Sequence, residues 1–286
     1  MMRALAGVWL ASAALAAAAP PPGDAHRGGY IVRLAGCHAC HTDSARNGPP
    51  LAGGVELKTP FGTFHVPNIT PDAETGIGRW SRGDFMRAMR EGVAPDGRHY
   101  YPAFPYTSYT RMTERDLVDL KAYLDTVKPA RARVPPHALR FPYRLRFALA
   151  PWKKLYFRPG PFQPDPAKST TWNRGAYLVT GPGHCGECHT KRNFLGASIA
   201  KLALAGAKSG PDGTSVPNLT PHPKDGLGLW SRADLVKFLK TGDPPYGEPV
   251  GPPMDEVIAA STSHWREDDL RAAAEYLLSL PARETP

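Results

Sequence analysis

Cys37-His38-Ala39-Cys40-His41 and Cys185-Gly186-Glu187-Cys188-His189 account for every cysteine in this 286-residue chain. Each is C-x-x-C followed at once by His, the spacing of a haem c attachment motif. The chemistry asks for that spacing. Two thiols must add to the two vinyl groups of one porphyrin, and residues i and i+3 of a helix share a face. The His at i+4 lies one turn on, where its imidazole can bind iron. Four cysteines in an exported chain would ordinarily be read as two disulfides, and four thiolates as a zinc site. Neither reading explains a His directly after each pair.

A repeat surrounds the two motifs. Arg27-Gly28-Gly29-Tyr30-Ile31-Val32 precedes the first, and Arg174-Gly175-Ala176-Tyr177-Leu178-Val179 the second. Pro67-Asn68-Ile69-Thr70 recurs as Pro217-Asn218-Leu219-Thr220. Gly76 to Arg82 recurs as Gly226 to Arg232, and Asp116-Leu117 as Asp269-Leu270. The offset is 148 at the cysteines and 153 at this last pair. The chain reads as one domain duplicated, with one haem c in each copy and two in all.

Both copies read as helical. A short helix leads into each C-x-x-C-H. Ser81 with Asp84, and Ser231 with Asp234, have the spacing of a helix-capping pair, and Gly92 and Gly242 are natural stops. A last helix carries Leu117, Leu120, Leu124 and Val127, matched by Leu270, Ala273, Leu277 and Leu280. Each set forms one apolar stripe for a core. No stretch alternates well enough to predict a sheet. The expected fold is therefore all-α: two tandem copies of one helical domain, 24–128 and 167–283, joined by the segment 129–166. That segment has nine prolines together with Phe141, Tyr143, Phe147, Trp152 and Phe157. A free linker would not carry that apolar load, so it is expected to be an extended strap packed against both domains.

Residues 1–19 have one Arg, an apolar Ala/Leu/Val run and small residues before a Pro-rich stretch, the layout of a secretory signal peptide. A periplasmic location is expected. The formal charge is +9. A basic surface suits acidic partners or an anionic membrane face. The Lys and Arg residues do not run together, which argues against nucleic acid.

The ligand opposite each histidine differs between copies. Electron-transfer haems usually take Met or a second His there. Met254, in Gly251-Pro252-Pro253-Met254, is the only Met of the second copy and is the expected partner of His189. In the first copy the matching loop reads Tyr101-Pro102-Ala103-Phe104-Pro105-Tyr106, and Phe104 cannot bind iron. Met112 and His99 are the alternatives opposite His41, with no protein ligand as a third. Met112 aligns with Trp265, where a packing role competes.

The stretches PNITPDAETGIGRWSRGDF (67–85), YYPAFPYTSYTRMTERD (100–116), WNRGAYLVTGPGHCGECHT (172–190) and PVGPPMDEV (249–257) resemble the multihaem cytochrome c subunits of bacterial periplasmic alcohol, gluconate and sugar dehydrogenases. The resemblance covers nearly the whole chain after the leader. It implies cytochrome c folds and haem binding by Cys37, Cys40, His41, Cys185, Cys188 and His189, and it supports Met254 as a ligand. It further implies electron transfer from a dehydrogenase toward quinone or a terminal oxidase, with redox proteins as partners and membrane association through them. Many of those subunits have a Met where Phe104 stands here. The leading expectation is an electron carrier with no substrate of its own. The alternative is a dihaem enzyme, peroxidase-like or oxidising a small molecule, with an open coordination position on the first iron.

Overall fold

A computed structural model describes residues 22–210 and 213–286; the expected leader, 1–19, lies outside the described residues. The helices of the first repeat are α1 (Ala25–Leu34), α2 (Cys37–His41), α3 (Arg82–Glu91), α4 (Tyr106–Tyr109) and α5 (Glu114–Leu124). The connecting segment carries α6 (Leu149–Tyr156). The second repeat supplies α7 (Thr170–Thr180), α8 (Gly186–His189), α9 (Arg232–Thr241), α10 (Met254–Ala260) and α11 (Glu267–Leu278). Among the described residues no helix is long and apolar enough to cross a membrane.

The local signals act as the sequence implies. Ser81 and Asp84 close a reciprocal capping box on α3, and Ser231 and Asp234 do the same on α9. Both helices stop at a glycine in the left-handed conformation, Gly92 and Gly242. In each repeat the first helix crosses the last at a glycine. A Cβ on Gly28 would lie 1.9 Å from the Asp119 carbonyl oxygen, and one on Gly175 1.9 Å from that of Ala272. Only glycine permits so close a crossing. The last helices turn Leu117, Leu120 and Leu124, and Leu270, Ala273 and Leu277, into two cores. Leu34 and Tyr30 of the first repeat reach into the second core, which makes the apolar packing continuous across the boundary.

The all-α expectation needs correction. The strands β1 (Glu56–Thr59), β2 (Gly62–His65) and β3 (Ala138–Leu139) form a small antiparallel sheet in the order β1-β2-β3. Glu56 pairs with His65 and Thr59 with Gly62 around a tight turn, and β3 adds through Gly62–Leu139 and Thr63–Ala138. Among the described residues the fold is helix-rich with this one sheet.

The connecting segment is not wholly extended, since it contains β3 and α6. Its packing is shared. On the first repeat, Leu149 joins Phe64 and Tyr101 in a small core, and Arg146 Nη1 donates to the His99 carbonyl at 2.9 Å. Against the second repeat, Phe162 packs on the core with its ring 5.8 Å from that of Tyr177. The Trp152 indole donates to the Leu195 carbonyl at 2.9 Å.

A reciprocal contact joins the repeats. The Tyr30 hydroxyl donates to Asp269 Oδ2 at 2.7 Å and accepts from the Arg266 amide at 2.9 Å. The Tyr177 hydroxyl donates to Asp116 and accepts from the Thr113 amide. Each aspartate is also paired within its own repeat, Asp116 with Arg27 and Asp269 with Arg174. The recurrent Arg, Tyr and Asp of the sequence repeat are thus the two halves of one interlock.

Candidate haem centres

Each C-x-x-C-H lies on a short helical turn after its leading helix, and no disulfide joins any of the four cysteines. The loop beyond each motif supports the histidine in the same way. His41 Nδ1 is 2.8 Å from the Pro67 carbonyl oxygen, and His189 Nδ1 is 2.8 Å from that of Pro217. A carbonyl only accepts, so Nδ1 must carry the proton, and Nε2 is left with a free lone pair. That is the tautomer an axial haem ligand requires.

The Pro-Asn-Ile/Leu-Thr motif is what delivers this carbonyl. Asn68 Oδ1 accepts from the amide and hydroxyl of Thr70, and Asn218 Oδ1 from those of Thr220. The Gly53 amide donates to the His41 carbonyl, and the Gly206 amide to that of His189. The same loop has been built twice.

Burial pushes the His41 imidazole down to about 4; its bond to Pro67 opposes this and His38 adds to it. Burial also lowers His189, against the bond to Pro217. Both rings are therefore neutral, as a metal ligand must be. Burial pushes the Cys37 and Cys185 thiols up to about 12. These groups fit haem c: in each motif a thiol packed on the core, Cys37 or Cys185, stands three residues before a second one, beside a neutral imidazole whose Nε2 could bind iron.

The structure also brings the two motifs together, which the sequence did not indicate. Cys40 is raised to about 11 by burial, with the neighbouring Cys188 and then Glu256 adding to the rise. Helix α10 packs on α2 of the first motif. The Tyr109 hydroxyl donates to the Ala35 carbonyl at 3.2 Å, and its ring lies 5.5 Å from that of His184. Glu187, inside the second motif, accepts from Thr107 and Ser108 of α4 at 2.6 Å each and pairs with Arg192. Burial works to raise the Glu187 carboxyl, but Arg192 and the two hydroxyls hold it below the usual carboxylate range.

The expected sixth ligands are placed unequally. Met254 opens α10, at the edge where the second repeat meets the first. Met112 is fully buried in the first core, on which Cys37 and Phe104 also pack. Trp265 fills the corresponding place in the second core, beside Cys185. His99 lies apart from that core, with Nδ1 3.1 Å from Lys153 Nζ of the connecting segment.

A cytochrome c family model matches residues 25–128. Over 270 residues the chain is 42% identical to a diheme cytochrome c-type protein of Cereibacter sphaeroides, covering 92% of this chain and 88% of that one. The chain belongs to the cytochrome c family. Two further relatives are longer. A nicotinate dehydrogenase subunit of Pseudomonas putida is 44% identical over 89% of this chain, and the match covers 21% of that protein. The fructose dehydrogenase cytochrome subunit of Gluconobacter japonicus is 42% identical, and this cytochrome spans 55% of its length. Membership implies covalently bound haem c and supports electron transfer.

Proposed function

We propose that this chain is a periplasmic dihaem c-type cytochrome that takes electrons from a dehydrogenase and passes them toward the respiratory chain. In this reading 24–128 and 167–283 are two cytochrome c domains, and 129–166 fixes one against the other. The observation that carries it is the doubled histidine support: Pro67 and Pro217 hold His41 and His189 in the same ligand tautomer, each directly after a C-x-x-C pair.

When bound, haem supplies a one-electron iron couple. The residues of the chain set its conditions. Cys37 with Cys40, and Cys185 with Cys188, would hold it covalently. His41 and His189 would ligate through Nε2. Met254 would be the second protein ligand to the iron that His189 holds, and its thioether would favour the reduced state relative to a second histidine. The packing of Tyr109 on His184 beside Cys185, and the bonds of Thr107 and Ser108 to Glu187, support electron passage between the two sites within one molecule.

For the first iron, Met112 is the proposed ligand, since the His99 imidazole is engaged by Lys153. A second reading is favoured by one observation: Met112 sits where Trp265 sits, and Phe104 replaces the ligand at the loop. The first iron would then be open, and the protein a dihaem enzyme.

Pyridine haemochrome analysis of the matured protein tests the main reading, with two haems per chain expected and one overturning it. Carbon monoxide titration of the reduced protein separates the two readings of the first iron. No binding supports the carrier, and binding at one haem supports the enzyme. In Met112→Leu, the carrier reading expects that binding to appear.

A further inference from the structure

Seven of the chain's nine net positive charges reside in residues 129–166, which contain six Arg and two Lys against a single Asp. The acidic residue, Asp165, stands at the far end, so no acid falls between Arg131 and Arg158. Large apolar side chains project from the same segment. Phe141 is 70% exposed, Phe147 77% and Leu155 64%. The loop of the second repeat tied to it through Trp152 and Leu195 adds Phe194 at 82%. Among the described residues, seven of the nine large apolar side chains left exposed belong to this cluster.

Three parts of the cluster meet. Tyr143 stacks edge-on against Phe61 at 4.7 Å, Phe61 lies against Gly196, and Trp152 packs on Tyr156 at 5.6 Å. The turn of the sheet, the connecting segment and the 194–196 loop therefore meet. Arg140, Arg144 and Lys154 of the same segment stand exposed.

We propose that this face of the connecting segment binds an anionic phospholipid surface, with Phe141, Phe147, Leu155 and Phe194 entering the headgroup region and the surrounding Arg and Lys pairing with phosphates. Two features favour lipid over a protein face. The charge is of one sign, with no acid between Arg131 and Arg158, which matches the evenly negative surface of anionic lipid. The apolar groups are single projecting side chains, which a fluid interface accepts without a matching pocket. The chain itself then touches the membrane, rather than only through a partner.

The test is co-sedimentation of the holo-protein, read by haem absorbance, with vesicles of phosphatidylglycerol and phosphatidylethanolamine, and with phosphatidylcholine alone. Binding is expected to the anionic vesicles only and to weaken with added salt. Arg140→Gln/Arg144→Gln/Lys154→Gln should weaken it roughly 100-fold, from three lost surface charges. Phe141→Ser/Phe147→Ser/Leu155→Ser should weaken it at least about tenfold. Leu229→Ser, an exposed apolar residue outside the cluster, should not change it. All of these side chains are exposed, so folding is retained, and an unchanged haem spectrum checks that. A wild-type protein that stays in the supernatant with anionic vesicles overturns the proposal and leaves an acidic protein as the occupant. Binding that is equal in all variants overturns it as well.

Discussion

Replacing Tyr177 with Phe tests whether the two repeats are held by hydrogen bonding to buried charge. The substitution keeps the ring, which packs in the second core and lies 5.8 Å from Phe162. It deletes the hydroxyl that donates to Asp116 and accepts from the Thr113 amide at 3.3 Å. Asp116 is only 3% exposed, so water cannot replace the lost donor. A hydrogen bond to a charged group contributes about 1.5–3 kcal/mol. Arg27 still holds the carboxylate, which keeps the loss toward the middle of that range, about 2 kcal/mol. Tyr30→Phe should cost less, about 1 kcal/mol, because the Arg266 amide it strands can turn to water. The assay is urea unfolding of the ferric holo-protein, followed by circular dichroism. A double-mutant cycle of Tyr177→Phe with Asp116→Asn should return a coupling of about 1 kcal/mol or more. A Tyr177→Phe loss under about 0.5 kcal/mol, or strictly additive variants, would refute the reasoning.

Gly175→Ala places a Cβ 1.9 Å from the Ala272 carbonyl oxygen. It should destabilise by about 1–3 kcal/mol from overpacking, although alanine is the better helix former. Gly29→Ala, whose nearest neighbour is the Tyr123 ring at 3.1 Å, should cost much less in the same unfolding assay. Burial works to raise the Asp269 carboxyl, but Arg174 and Tyr30 hold it below its ordinary value. Its stabilisation is therefore complete above the ordinary carboxylate range and is lost as pH falls through the lowered value. Asp269→Asn should narrow the gap in stability to wild type as the protein is titrated into acid, and a gap that widens would contradict this. Met254→Leu should lower the reduction potential of one haem and open it to carbon monoxide, measured by spectroelectrochemistry and gas titration; an unchanged potential would remove Met254 from the iron.

Much of the fold is legible because its signals are local. Ser81 with Asp84 and Ser231 with Asp234 mark helix starts within four residues, and Gly92 and Gly242 mark the ends. The sheet escapes because its strands are four, four and two residues long. The third comes from a proline-rich segment some seventy positions on. In hindsight, Glu56-Leu57-Lys58-Thr59 alternates correctly, but a single short alternation carries little weight. At the site, the cysteines and histidines are legible from spacing alone. The recurrence of Pro67 as Pro217, Tyr30 as Tyr177 and Asp116 as Asp269 marks these positions without saying what they touch. The Pro carbonyl acts through the backbone, and the Tyr–Asp bonds span 61 and 239 residues. Glu187 and Tyr109 have no counterpart in the other repeat to flag them.

The Tyr–Asp interlock carries a consequence for how such a chain could arise. A contact that recurs with donor and acceptor exchanged is two-fold self-complementary, the kind an isologous dimer makes. One repeat holds both halves of it. A single-haem ancestor with the same Arg, Tyr and Asp would have met its own copy through this surface and needed no new side chain to do so. Joining the copies through residues 129–166 turned a concentration-dependent encounter into a permanent one, with an effective local concentration on the order of millimolar. Each repeat would then be free to drift alone, and matching places could come to differ, as Met112 and Trp265 do.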